Sequence, residues 1–135
     1  HSPHYEYHKF DHRDASTHRR SVYRFIVRSQ PDPWMTTMDC ADSSQSTPVR
    51  DETLTALQSL SLLNNQFNLV MAERFERALG GKPSMSEKVR LAFTRAMQRE
   101  PSKSDHQAML QYAHKHGLNN LCRLLFNFSE FIYID

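Results

Sequence analysis

A repeat of apolar residues at helical spacing, between positions 67 and 79, constrains the fold more than any other feature of the sequence. The apolar side chains recur at intervals of three, one, four, three and one, which places them on one face of a helix, whereas a strand would alternate. They are Phe67, Val70, Met71, Phe75, Ala78 and Leu79. The segment therefore predicts an amphipathic helix, and we expect Gly80-Gly81 to end it in the left-handed conformation that glycine favours.

Start and stop signals predict further helices on both sides. Ser84-Met85-Ser86-Glu87 has the form of a capping box, and the helix that it opens is expected to end at Pro101. Ser102 starts the next helix, which Gly117 closes, and residues 118–128 form the last one.

The helix before the central repeat is predicted from its own signals. Thr47-Pro48 pairs a capping hydroxyl with a proline at the first helical position. Leu54, Leu57, Leu60 and Leu63 follow at helical spacing. Asn64-Asn65 is expected to interrupt this helix, because short amide side chains compete for backbone hydrogen bonds.

The first 48 residues carry weaker patterns. Residues 1–18 are polar and rich in histidine, and we interpret them as an extended arm. Residues 16–29 favour a short helix with the basic side chains on its solvated face, although Val22–Val27 is also compatible with a strand. Pro31 and Pro33 stop regular structure, so residues 30–48 are expected to form an ordered loop.

Together these signals predict an all-α fold of four to five short helices in an irregular bundle, with an arm at residues 1–18 and a helical portion at 19–135. The start at His1 and the concentration of apolar residues after Leu54 lead us to expect a portion of a longer protein. A net charge of +2, from 17 basic and 15 acidic residues, argues against nucleic-acid binding. No apolar run approaches the roughly 20 residues that a membrane span requires.

The candidate chemistry is sparse. Cys40 and Cys122 could pair as a long-loop disulfide in an oxidising compartment, or each could lie buried as a small hydrophobe. Five histidines crowd the first 18 residues, but they lack a rigid element that would hold them as metal ligands, so we predict no metal site. They are His1, His4, His8, His12 and His18.

Catalytic motifs are also missing from the sequence. It has no nucleophile elbow, no glycine-rich phosphate loop and no haem-attachment motif. We therefore assign no catalytic residue and no cofactor to this chain.

Five stretches in a fixed order resemble the carboxyl-terminal planctomycete-specific domain of planctomycete-type cytochrome c proteins, a domain of unknown function. They are residues 19–23, 38–42, 47–50, 54–65 and 121–135, including Met38-Asp39-Cys40-Ala41-Asp42 and Thr47-Pro48-Val49-Arg50. The resemblance implies a periplasmic or otherwise exported multidomain protein associated with polysaccharide breakdown. Covalent haem would then lie in an upstream domain, and this chain would be a non-catalytic scaffold or docking part.

That resemblance implies the upstream domains of the same protein as partners, together with redox or carbohydrate-active proteins. Two other functions stay open. One is an enzyme site shared with upstream domains, using Arg20, Asp39, Arg50 and Glu130. The other is a glycan-binding module that stacks sugars on Tyr5, Tyr7 and Trp34.

Overall fold

The computed structural model describes residues 6–42, 44–49, 53, 55–81 and 84–132. Within them lie α1 (Pro33–Thr37), α2 (Ala56–Asn64), α3 (Gln66–Ala78), α4 (Met85–Met97), α5 (Lys103–His116), α6 (Leu118–Leu125) and α7 (Ser129–Ile132). Five of these helices have eight residues or more, and the described residues contain no strand, so the predicted all-α class is confirmed. The chain forms two compact units, which we call unit 1 (His1–Ser61) and unit 2 (Leu62–Asp135).

Unit 2 is built around an apolar core. Its helices α3 to α6 bury their apolar faces against one another, which removes that surface from water. The fully buried members of the core are Ala72, Leu79, Val89, Ala92, Leu121, Cys122 and Leu125, with Phe93 at 2% exposure. Phe75 and Phe126, half-buried at the margin of this core, stack with their ring centroids 5.8 Å apart.

The predicted helix starts in unit 2 are confirmed by their hydrogen bonds. The Asn65 side chain accepts from the amide of Phe67 at 2.9 Å, so Asn64-Asn65 does separate α2 from α3. Ser84 Oγ accepts from the Glu87 amide at 3.2 Å. Ser102 Oγ accepts from the Asp105 amide at 3.1 Å. Each cap satisfies an amide that the first turn of a helix leaves without a partner.

Two helices were predicted to end at glycine; α5 ends as predicted, and α3 ends in a different conformation. Gly117 lies between α5 and α6 with φ 90° and ψ 156°, a region essentially restricted to glycine. The expected left-handed stop at Gly80-Gly81 is wrong, because neither residue has positive φ. There α3 ends in a tighter turn, in which the Gly80 amide donates to the Arg77 carbonyl at 3.0 Å and Leu79 is drawn into the core. The left-handed cap occurs at Gln98 instead, after α4.

Helix α2 begins later than Thr47-Pro48 predicts. Pro48 and Val49 are not helical, and the first helical residue is Ala56. The start is set by a reciprocal cap: Thr55 Oγ1 accepts from the Gln58 amide at 3.2 Å, and Gln58 Oε1 accepts from the Thr55 amide at 2.9 Å. This is the Thr-x-x-Gln form of the capping box, a signal present in the sequence that we did not use.

Unit 1 departs most from the sequence prediction. The helix expected over 16–29 is absent; the segment contains 3-10 turns at Ala15–Thr17 and Ser21–Tyr23 and a single bridge between Val27 and Gln30. The prediction of an extended arm is wrong for its described part, which contains 3-10 turns at Tyr7–Lys9 and Ala15–Thr17. The loop predicted at 30–48 contains α1, whose start is capped by Asp32.

Candidate functional site

Unit 1 contains a pocket of about 220 Å³. Nine side chains from the arm, the segment before α1, α1 itself and the residues just after it line the pocket. They are Tyr7, Ile26, Pro31, Asp32, Met35, Thr36, Cys40, Ala41 and Asp42. A concave site with an apolar lining and a few polar groups is the usual form of a small-ligand site, so we take this pocket as the candidate site.

Asp32 links the pocket to α1 and to the segment before it. Its side chain is 7% exposed, and Oδ1 accepts from the Trp34 amide at 2.9 Å as the cap of α1. Its other oxygen, Oδ2, lies 2.8 Å from Nη2 of Arg24. A buried carboxylate is costly unless it is paired, so the Arg24–Asp32 ion pair compensates the charge on this wall of the pocket.

Arg24 points inward, which corrects one part of the solvated-face prediction. Its side chain is 20% exposed, and its guanidinium lies 4.9 Å from the centroid of the Phe10 ring and 5.9 Å from that of Tyr7. Arg19, Arg20 and Arg28 do face solvent as expected. Planar guanidinium groups stack on aromatic faces, and this stacking lets Arg24 be largely buried beside Asp32.

Tyr7 forms another wall. The residue is 8% exposed, and its hydroxyl oxygen accepts a hydrogen bond from the Val27 amide at 3.1 Å. The contact joins residues twenty positions apart, so it closes the arm onto the turn at Val27–Gln30. The Tyr7 ring is therefore buried, which makes it unsuited to the exposed stacking platform of the glycan-binding hypothesis.

Cys40 and Asp42 complete the pocket on the side that follows α1. The Cys40 amide donates to the Met35 carbonyl at 3.0 Å, which folds the chain back over α1. Cys40 is a half-buried free thiol. Asp42 is exposed, and the hydrogen bond that its carboxylate accepts from the Ser44 amide, at 2.8 Å, lowers the pKa of the carboxyl group.

The comparisons with known proteins give a family and no function. A family model described as "PSD1: Protein of unknown function (DUF1553)" matches residues 1–113. The chain belongs to this family. No curated protein and no solved structure matches it. The PSD1 match begins at residue 1, so it includes the arm and the whole lining of the pocket, which the resemblance noted above covers only from residue 19.

The structure of this PSD1-family chain distributes the residues of the shared-enzyme hypothesis among separate contacts. Asp39, in unit 1, accepts from the Thr53 amide and hydroxyl and from Gln58 Nε2, at distances between 2.7 and 2.9 Å. Glu130, in unit 2, is bound by Arg99 at 2.6 and 2.8 Å. Arg20 is exposed, and Arg50 lies outside the described residues.

Asp39 has a structural role that its sequence context did not reveal. It has φ 55°, a conformation that aspartate adopts more readily than most residues. Its carboxylate gathers Thr53 and Gln58 just before α2 begins, and Gln58 is only 8% exposed. The Asp39 network therefore holds the start of α2 against the end of α1.

The two cysteines have different environments. Cys122 is fully buried in the core of unit 2, and this burial raises the pKa of its thiol to about 12. Both Cys40 and Cys122 are free thiols in this structure, and their pairing in an oxidising compartment stays a prediction.

The described part of the chain contains no group of three or more His, Cys, Asp or Glu side chains placed to hold a metal ion. His12 lies near Arg24, and burial together with the Arg24 charge lowers its pKa. His18 is placed with its Nε2 2.8 Å from the His12 carbonyl oxygen. Of the other histidines in the arm, His1 and His4 lie outside the described residues.

Two further sequence predictions concern aromatic residues and membranes. Trp34 is half-buried on α1, and Tyr5 lies outside the described residues. Within the described ranges, none of the helices has the length and apolar character that crossing a bilayer requires. The sequence analysis did not identify the Arg24–Asp32 pair. The role of Asp32 as the cap of α1 could have been identified, because Asp32-Pro33 is a capping side chain followed by proline, as at Thr47-Pro48.

Proposed function

We propose that this chain is a non-catalytic docking part of an exported multidomain protein of the planctomycete cytochrome c type, associated with polysaccharide breakdown. The observation that carries the proposal is a run of exposed apolar side chains in unit 1, which we call the apolar strip. Its exposed fractions are 72% for Val22, 71% for Tyr23, 59% for Phe25 and 44% for Ile26. Clustered exposed apolar surface of this kind marks interaction sites in soluble proteins.

Arg24, in the middle of the strip, turns inward to Asp32, whereas the residues directly before and after it, Tyr23 and Phe25, face solvent. Ser21–Tyr23 forms a 3-10 turn, so the segment lacks the strict alternation of a strand and Val22 is exposed as well. Ile26 belongs both to the strip and to the lining of the pocket.

Charge indicates what the strip would contact. Arg19, Arg20 and Arg28 flank it and are exposed, which places a basic rim around an apolar centre. Interfaces are arranged so that opposite charges meet, and a second copy of this chain would bring the same basic rim against itself. We therefore propose that the strip contacts a protein surface that has an apolar patch and an acidic rim.

An upstream domain of the same parent protein is the occupant that we propose. The support is the resemblance to the closing domain of multidomain cytochrome c proteins, in which such domains precede this one. In the parent protein, a short tether would raise the effective concentration of the partner to the order of millimolar, which adds to the affinity that the strip provides by itself. Asp39 and Glu130, engaged in structural hydrogen bonds, support the non-catalytic assignment.

The test is binding between this chain and separately expressed upstream domains of its parent, measured by calorimetry. Replacing Val22 and Tyr23 by serine removes apolar area from the strip, and we expect affinity to fall by at least about tenfold, as for interface hot spots. The matched control replaces Leu57 and Leu60, which are similarly exposed at 60% and 56% but lie on α2, and should change affinity less than about twofold.

Equal weakening by the control pair would overturn the assignment of the strip. Turnover of a defined substrate by the purified chain would overturn the non-catalytic claim. Binding should also weaken as salt rises, because the basic rim contributes through screened charges.

A further inference from the structure

We propose that the pocket in unit 1 binds a small organic ammonium ion, with its charged group at the carboxylates and its alkyl tail on the apolar wall. The pocket shares Ile26 with the apolar strip, but the charge selection proposed here rests on Asp32 and Asp42 and does not depend on what the strip contacts.

The charges of the lining residues select the sign of the ligand. Two of the nine described lining residues, Asp32 and Asp42, are acidic, and none of the nine is basic. Arg24 balances Asp32 by its ion pair, so Asp42 gives the pocket a net negative charge. Its lowered pKa keeps Asp42 ionised at neutral pH. An anionic ligand would therefore be repelled and a cation attracted.

Asp32 has acceptor capacity left for a ligand. An ionised carboxylate offers about four acceptor positions. At Asp32, Oδ1 receives the Trp34 amide and Oδ2 is paired with Arg24 Nη2 at 2.8 Å, which leaves about two of the four positions. These positions can accept from an ammonium group, which supplies three N–H donors.

The remaining wall suits a hydrocarbon tail. Tyr7, Ile26, Pro31, Met35 and Ala41 contribute ring, branched and thioether surface. A pocket of about 220 Å³ equals about seven water volumes at about 30 Å³ each, so it holds a ligand of roughly seven non-hydrogen atoms. Hexylammonium has this size and carries both parts of the predicted chemistry.

The two thiols make a direct assay possible in the intact chain. Cys40 lines the pocket and is half-buried, so a ligand in the pocket should shield it from alkylation by neutral iodoacetamide. Cys122 is buried in unit 2, and its pKa of about 12 leaves almost no thiolate near neutral pH. Alkylation of Cys122 therefore reports unfolding by the additive, which separates shielding from denaturation.

We expect hexylammonium at low millimolar concentration to slow Cys40 alkylation by at least about fivefold, while hexanol and hexanoate slow it less than about twofold. Asp42→Asn should raise the concentration of hexylammonium needed for half-protection by about threefold or more. Asp14→Asn is the matched control, because Asp14 is an exposed carboxylate in the same unit with an equivalent hydrogen bond from the Ser16 amide at 2.9 Å.

Asp42→Asn is used in place of Asp32→Asn because Asp32 caps α1 and pairs with Arg24, so its replacement would disturb the fold. Equal protection by hexanol would show an apolar pocket without charge selection and would overturn the proposal. Absence of protection up to about 20 mM hexylammonium, or an equal effect of Asp14→Asn, would overturn it as well.

Discussion

Unit 2 and unit 1 are ordered by different forces. Unit 2 buries twelve residues in a contiguous apolar cluster contributed by α3 to α6. Among the described residues of unit 1, only Tyr7 and Val27 are buried apolar side chains. What orders unit 1 instead is a set of directional contacts: Arg24 with Asp32, Tyr7 with Val27, and Asp39 with Thr53 and Gln58.

This difference predicts how the stability of each unit responds to substitution. Apolar burial is non-directional and roughly proportional to area, so a core loses stability in proportion to the atoms removed. A buried ion pair depends on both partners, because removal of one leaves a charge without compensation. Unit 2 should therefore tolerate conservative substitutions, while unit 1 should depend strongly on a few polar residues.

Phe93→Ala should have the largest effect. The side chain is 2% exposed in the core of unit 2, so its truncation is expected to cost about 3–5 kcal/mol of unfolding free energy. Chemical denaturation with residue-resolved hydrogen exchange measures the loss. Leu57→Ala, on the exposed side of α2, is the control and should change stability by less than about 0.5 kcal/mol. A small loss for Phe93→Ala would remove the basis for calling unit 2 core-driven.

Arg24→Met should come next, with its effect confined to unit 1. It leaves the Asp32 carboxylate buried without its cation, and because Arg24 is partly exposed we expect about 2–4 kcal/mol, at or below the cost for a fully buried pair. Hydrogen exchange at the amides of Thr36 and Met38 in and after α1 reports the loss. Arg28→Met, at an exposed neighbouring position, is the control. Equal loss of protection in α4 would break the distinction between the units.

The helices of unit 2 were predictable because their signals are local. A cap at Asn65, Ser84 or Ser102 lies within three residues of the amide that it satisfies, so sequence spacing contains the whole interaction. The apolar period then identifies the buried face. The prediction failed at the glycines after α3, because glycine permits more than one way of ending a helix.

Unit 1 was less predictable because its contacts join residues that sequence spacing does not relate. The pattern over 16–29 favoured a helix with Arg24 outside, but a helix needs a surface on which to bury its apolar face. Asp32 and the Phe10 ring offer Arg24 an inward partner instead, and the apolar residues stay outside. The pocket lies where Arg24 turns inward, so the apolar periodicity of the sequence could not predict it.

Thr55→Ala should have a moderate effect on the start of α2. It removes the hydroxyl half of the reciprocal cap with Gln58, which is worth about 1 kcal/mol for a typical cap. Faster hydrogen exchange at the Ser59 amide, which donates to the Thr55 carbonyl, is the measurement. Thr55→Ser keeps the cap and should restore slow exchange. Unchanged exchange in Thr55→Ala would indicate that the Asp39 network alone holds this end of the helix.

Acid should have the smallest effect, and it acts on exposed ion pairs of unit 2. Hydrogen bonds from Arg99 lower the pKa of Glu130, and those from Arg90 lower the pKa of Glu100. Because these pKa values are depressed on folding, the stabilisation is present above the usual value of 4.5 and is lost as pH falls through the folded value. In the double variant Glu130→Gln, Glu100→Gln, the free energy of unfolding should fall less as the pH is lowered. High salt should reduce this fall too, since both pairs are exposed. A decline that persists in the double variant would assign the acid sensitivity to other carboxylates.

Gly117 has a consequence for the handedness of the chain. Its φ of 90° and ψ of 156° are unfavourable for an L-residue, yet a Cβ built there would meet no atom within 4 Å. Inverting both angles gives φ −90° and ψ −156°, just past the edge of the extended region of L-residues, so the site suits the mirror-image configuration better. D-alanine introduced at this position by chemical synthesis would therefore be less strained than L-alanine and would restrict the unfolded chain. The corner between these helices is a point where the molecule favours the opposite chirality.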